Sequence, residues 1–185
     1  GLSYRWRADG TDADLVPDAG ADITIPVQQN GQSHNQSWHF PSRSECLICH
    51  NSTAGFALGF STRQLNRDAL ENGAPVNQLT SLSAAGLLKP AITNPSIFPR
   101  LADVTDTAAT LEHRFKSYVD ANCYYCHQPT GSGRGSWDSR YNLPLDQMNV
   151  VDGPVLDDLG TPGARVIKPG SVDASMLWRR IAEMG

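Results

Sequence analysis

Two five-residue stretches, Cys46-Leu47-Ile48-Cys49-His50 and Cys123-Tyr124-Tyr125-Cys126-His127, contain all four cysteines of the chain. In such a unit the two thiols add to the vinyl groups of a haem as thioethers. The imidazole that follows then lies beneath the ring, where it binds iron as the proximal ligand. The spacing therefore predicts two covalently bound haem c groups, attached at Cys46, Cys49, Cys123 and Cys126, with His50 and His127 as proximal iron ligands. Three other chemistries use paired cysteines. A single structural zinc would take both pairs, but 77 positions separate Cys46 from Cys123, and knuckles normally lie closer. A thioredoxin-like redox pair wants a strand-to-helix turn in a βαβ pattern, which is not seen here. Structural disulfides rarely join cysteines two positions apart.

At 185 residues the chain is long enough for one large domain or two small lobes with a core. Its 15 basic and 19 acidic residues leave a net charge of −4, with no basic stripe to neutralise phosphates, so a nucleic-acid partner has no support. No apolar run reaches the roughly 18 residues that a transmembrane helix needs. The chain begins at Gly1, without a start methionine or signal peptide, and reads as a mature or excised fragment. Bacterial haem attachment takes place beyond the inner membrane, which implies a periplasmic, extracellular or cell-surface location. Twelve prolines and 16 glycines spread along the chain imply long irregular connections.

The two anchors sit in different settings. A helix is expected over about 107–121, because Leu111, Phe115, Tyr118, Val119 and Asn122 fall on one face, with Asp106 or Thr107 as its cap. A closing helix is expected from Ser171 or Asp173 to about Met184, with Ala174, Leu177, Trp178 and Ile181 inward. Residues 105–185 thus read as a class I-like cytochrome c lobe. Residues 1–104 read as a first, less regular haem lobe with an N-terminal strand and loop segment. Within it Leu2–Trp6 and Ile23–Val27 could pair, and Pro41 suits the start of a short helix carrying Cys46. Ser61 is expected to cap a helix to about Asn72, stopped by Gly73. A second would run from about Val76 to Ala85, stopped by Gly86. The fold class expected is mainly α with long loops, built as two cytochrome c-like lobes.

The far face of each iron separates carriers from enzymes, since a filled site suits electron transfer and an open one invites peroxide or oxygen. The distal candidates are His39, Met148 and Met184. His39 lies in Ser37-Trp-His-Phe-Pro41, which a short loop could fold over the haem, or else is a packed loop histidine. Met148 lies in the long loop between the second anchor and the closing helix. Met176 and Met184 lie on that helix, where methionine is more often core filler. His34 and His113 read as solvated. Trp137, Arg140 and Tyr141 could line a haem edge, with Arg140 or Arg134 meeting a propionate, or could form an ordinary loop with a packed aromatic.

The flanks add a resemblance. Trp38-His-Phe-Pro-Ser-Arg-Ser-Glu-Cys-Leu-Ile-Cys-His50, Ala54-Gly-Phe-Ala-Leu-Gly-Phe60, Gln64-Leu-Asn-Arg67 and Asn77-Gln-Leu79 carry it in the first half. Tyr118-Val-Asp-Ala-Asn-Cys-Tyr-Tyr-Cys-His127, Pro169-Gly170 and Ser175-Met-Leu-Trp-Arg179 carry it in the second. Together they resemble bacterial extracytoplasmic dihaem modules fused to PQQ-type sugar dehydrogenases or to carbohydrate-binding domains. The resemblance implies an electron-transfer module of a larger secreted redox protein, relaying electrons in connection with polysaccharide or sugar oxidation. Its partners would be a redox protein or domain and adjacent carbohydrate-binding domains. It also implies a distal methionine in a Met-Pro-Pro segment after the closing helix, and the sequence stops at Gly185, before any such segment. The competing expectation is a dihaem peroxidase-like enzyme with one open haem, which would need an acid–base residue beside that iron.

Overall fold

Apolar and polar residues alternate along Ala21-Asp-Ile-Thr-Ile-Pro-Val27, and Asn30-Gly31 follows two residues later. Both turn residues take positive φ, 52° and 77°, as a two-residue hairpin turn matched to strand twist requires. The structure, a computed structural model describing residues 1–182, accordingly pairs β3 (Ala21–Gln29) with β4 (Gln32–Phe40), Ile23 opposite Trp38 and Asp22 opposite His39. Ahead of them β1 (Tyr4–Trp6) pairs with β2 (Ala13–Leu15). Leu2–Trp6 and Ile23–Val27 therefore do not pair with each other. Each finds a closer antiparallel neighbour, and a short loop costs less closure entropy than a long one.

By its contacts the chain divides into two units, Gly1–Ala57 and Leu58–Gly185. The first holds these two hairpins and helix α1 (Arg43–Cys49). Residues 58–104, read from sequence with the first anchor, belong to the second unit. There Arg63 binds Asp120, and the Ala102 amide donates to the Ser117 hydroxyl at 2.8 Å.

The second unit begins with α2 (Thr62–Leu65), capped reciprocally by Ser61 and Gln64. The helix expected to run on to Asn72 ends at Leu65, and β5 (Asp68–Glu71) and β6 (Ala74–Asn77) form a hairpin in its place. Asn72 and Gly73 have φ of 50° and 82°. They form a hairpin turn, not a helix stop. Helix α3 (Gln78–Ala84) follows, capped by Asn77, and Gly86 lies just past its end at φ 72°. Helix α4 (Leu111–Asn122) starts one turn later than expected, because the Thr110 side chain accepts from the His113 amide and caps it. The last element is α5 (Met176–Ala182). Between α4 and α5 the chain is irregular, tied by isolated bridges such as Val151 with Ile167 and Arg165 with Ser175.

Helix makes up 24% of the chain and strand 21%, the strands forming three small antiparallel sheets. This mixed α and β composition overturns the expectation of a mainly α fold of two cytochrome c-like lobes. A strand hairpin stands in the stretch read as part of the first haem lobe, and a long bridged loop fills much of the stretch read as a class I-like lobe. Its core is a cluster of Val119, Trp137, Met148, Val150 and Val166, drawn mostly from that loop and only in part from helix faces. Leu111, expected on the inner face of α4, is exposed.

Candidate functional site

The first Cys-x-x-Cys-His unit is built on α1. The Glu45 amide donates to the Ser42 hydroxyl at 3.2 Å, and the Glu45 carboxylate accepts from the Ser42 amide at 2.7 Å. Both orphan donors at the helix start are thus satisfied. One helical turn then puts Cys46 and Cys49 on the same side, three residues apart. Leu47 and Ile48, between them, are exposed. His50 ends the helix, its amide donating to the Cys46 carbonyl at 2.8 Å.

The His50 ring has a partner of its own. A turn through Gly55 and Phe56, both at positive φ, brings the Phe56 carbonyl oxygen to 2.6 Å from Nδ1. A carbonyl can only accept, so Nδ1 carries a proton, which leaves Nε2 as the nitrogen available to a metal. That is the arrangement of a metal-ligating histidine whose second ring nitrogen is held by a backbone oxygen.

His39, a distal candidate, is not on a loop. It lies on β4, with Nδ1 2.7 Å from Asp22 and Nε2 3.2 Å from Glu45. Hydrogen bonds to Asp22 and then to Glu45 raise its pKa above the usual histidine value. Glu45 is pulled down to about 2, first by its hydrogen bonds with Ser42 and then by His39. A ring flanked by two carboxylates has no nitrogen to offer a metal. His34 is exposed on the same strand.

The second unit follows directly from α4. The Cys123 amide continues the helix to the Val119 carbonyl at 2.8 Å, and the His127 amide reaches the Cys123 carbonyl at 2.9 Å. The His127 carbonyl accepts from both the amide and the hydroxyl of Ser139, at 2.8 and 3.0 Å. The imidazole stacks on Trp137, ring centres 4.2 Å apart and planes 27° from parallel. Burial, and then the nearby charge of Arg180, lower its pKa. The ring is therefore neutral at pH 7, the form that binds iron. Burial, with a smaller contribution from Cys126, pushes the Cys123 thiol up to about 11.

Cys123 and His127 open on a cavity of about 420 Å³, within the size range of small-molecule and cofactor sites. Trp137, Val155, Val166, Leu177 and Ile181 give it apolar walls, and Arg134, Arg180 and Asp157 stand among the other lining residues. Arg180 lies 3.4 Å from Asp157. The cavity is thus bordered by a thiol, a neutral imidazole, two guanidinium groups and one carboxylate, with apolar side chains between them. The Nδ1 of His127 is buried without a hydrogen-bond partner. A methyl group on Gly133 would meet that nitrogen at 2.8 Å and the Cys126 carbonyl at 2.8 Å, so only glycine lets this loop close over the ring.

Of the remaining candidates, Met148 is fully buried in the core cluster and does not border the cavity. Met184 lies outside the described residues. Met176, 2% exposed, does border it. Arg134 lines the cavity, whereas Arg140 is paired with Asp138 at 2.7 Å. The Tyr141 hydroxyl lies 3.1 Å from His113 Nε2, so His113 is engaged, not solvated. Sequence reasoning missed Arg180 and Asp157. The signal for Arg180 was present, since Met176, Leu177, Arg180 and Ile181 share one face of α5.

Among the described residues no three His, Cys, Asp or Glu side chains converge as a metal cluster, and no helix is long and apolar enough to cross a membrane. Comparison with protein-family models, with curated proteins and with solved structures returns no match to this chain.

Proposed function

We propose that this chain is a dihaem c-type electron-transfer module. One haem would be attached at Cys46 and Cys49 with His50 on its iron, the other at Cys123 and Cys126 with His127. The observation that carries the reading is the cavity onto which both Cys123 and the neutral His127 open, with apolar walls and two arginines. When bound, the haem supplies one-electron chemistry. The protein residues supply attachment, the proximal nitrogens, a dry wall and cations for the propionates. The lack of a three-ligand cluster among the described residues is compatible with this, because a haem iron would need fewer than three protein ligands.

The resemblance of the flanking segments supports placement in a larger secreted or periplasmic redox protein concerned with polysaccharide or sugar oxidation. The donor and acceptor would be redox proteins or domains, beside carbohydrate-binding domains. Relay is favoured over peroxide chemistry because Asp157, the only carboxylate bordering the cavity among the described residues, is paired with Arg180. Stopped-flow mixing of the reduced protein with peroxide tests this choice: slow, non-saturating reoxidation is expected, and fast saturable turnover would assign an enzyme.

A further inference from the structure

We infer that the two proximal histidines are tuned unequally, His50 being the stronger donor to iron and its haem the one of lower reduction potential. This rests on the dihaem reading and goes beyond it by ordering the two sites. His50 Nδ1 donates to the Phe56 carbonyl at 2.6 Å, a short bond that transfers electron density into the ring. An electron-rich imidazole stabilises ferric iron over ferrous, so the bond lowers the potential. His127 Nδ1 has no such acceptor. It is buried against Gly133, which has no side chain and so no acceptor group to offer it. One face of the ring stacks instead on Trp137 at 4.2 Å, a neighbour that offers no hydrogen-bond acceptor. A ring without an acceptor pushes less charge toward iron, and its burial resists the extra positive charge of the ferric state. Both effects raise the second potential.

The Phe56 carbonyl is therefore a positioning group acting through His50. It is aimed by left-handed backbone at Gly55 and Phe56, with φ of 76° and 62°, and by the Phe56 amide bond to the Asn51 carbonyl at 2.9 Å. Phe56→Pro cannot adopt positive φ and has no amide hydrogen, so it turns this carbonyl away. Phe56→Gly keeps the backbone conformation and serves as the control.

The test is a spectroelectrochemical titration of the haem-loaded chain and both variants, with haem content fixed by pyridine haemochrome. Two one-electron waves are expected. Phe56→Pro should raise the lower wave alone, by roughly tenfold in the equilibrium constant of reduction, about 59 mV for one electron, while Phe56→Gly leaves both in place. Movement of the upper wave, or of neither, with two haems still attached would overturn the inference and leave the dihaem reading standing. A haem content of zero would overturn both. Should Phe56→Pro not fold, the ferrous wild-type protein gives a separate readout. The ring N–H proton of His50 should resonate downfield of that of His127, and the reverse order would overturn the inference.

Discussion

The guanidinium of Arg63 grips the carboxylate of Asp120 through two hydrogen bonds, Nε to Oδ2 at 2.6 Å and Nη2 to Oδ1 at 2.9 Å, across 57 positions of sequence. Asp120 is 1% exposed and also accepts from the Tyr141 amide at 3.0 Å. It sits on α4 three residues before Cys123. Arg63 lies on α2 and also faces the rings of Tyr124 and Tyr141, at 5.7 and 5.9 Å. The segment before α4 is thereby fastened to the helix that leads into the second Cys-x-x-Cys-His stretch.

Removing one partner of such a pair strands a buried charge. Arg63→Ala is expected to lower the stability of the second unit by about 3 kcal/mol, measured as a reduced urea midpoint. An unchanged midpoint would mean that the pair contributes nothing.

Trp137 joins the core cluster to the His127 ring. Trp137→Ala should cost about 3–5 kcal/mol in denaturant unfolding. Mass spectrometry of the matured chain should show loss of haem at Cys123 and Cys126 with attachment at Cys46 and Cys49 retained.

Cys123 is held as a thiol by burial, with its pKa pushed up to about 11. In the haem-free chain, alkylation of Cys123 by iodoacetamide should be slow at pH 8 and accelerate as the pH rises toward 11, since the thiolate is the nucleophile. Peptide mapping against time reads the rate at this position. A fast reaction at pH 7 would show the thiol to be exposed.

His39 ties β3 and β4 to the start of α1 through Asp22 and Glu45. Its pKa is raised from 6.5, so its contribution is complete below 6.5 and is lost as pH climbs through the raised value. Glu45 is depressed to about 2, so its contribution is complete above 4.5 and is lost as pH falls toward 2. The clasp is therefore complete between about 4.5 and 6.5. Hydrogen exchange of the amides of residues 39–46, relative to its intrinsic rate, should be slowest in that window. His39→Gln should abolish the weakening above 6.5, while the acid-side weakening set by Ser42 and Glu45 remains.

The cap at Ser61 and the end of α3 at Gly86 were readable in sequence because each rests on local chemistry. Strand segments were readable at Leu2–Trp6 and Ile23–Val27, but their partners and the β5–β6 hairpin were not. Asn72-Gly73 serves equally as a helix stop or a hairpin turn, and the choice is made by Asp68 pairing with Asn77, which no local pattern announces. The helix-first reading of 61–72 thus produced too much α and the wrong fold class. Asn30-Gly31 was the stronger hairpin signal, and heeding it would have placed His39 on a strand beside Asp22. The Arg63–Asp120 pair was hidden for another reason: long-range ion pairs leave no periodicity. Met148 was placed in the loop where a ligand was expected, yet that loop supplies much of the core, so its methionine packs among Val119, Val150 and Val166.

Covalent haem at both units is the claim on which the rest depends. It is tested most directly by maturing the chain in a periplasmic host with haem-attachment machinery, denaturing it, and measuring intact mass and pyridine haemochrome. Two haems per chain, surviving denaturation and mapping to Cys46–Cys49 and Cys123–Cys126, are predicted. A chain of unmodified mass that binds no haem would contradict the account.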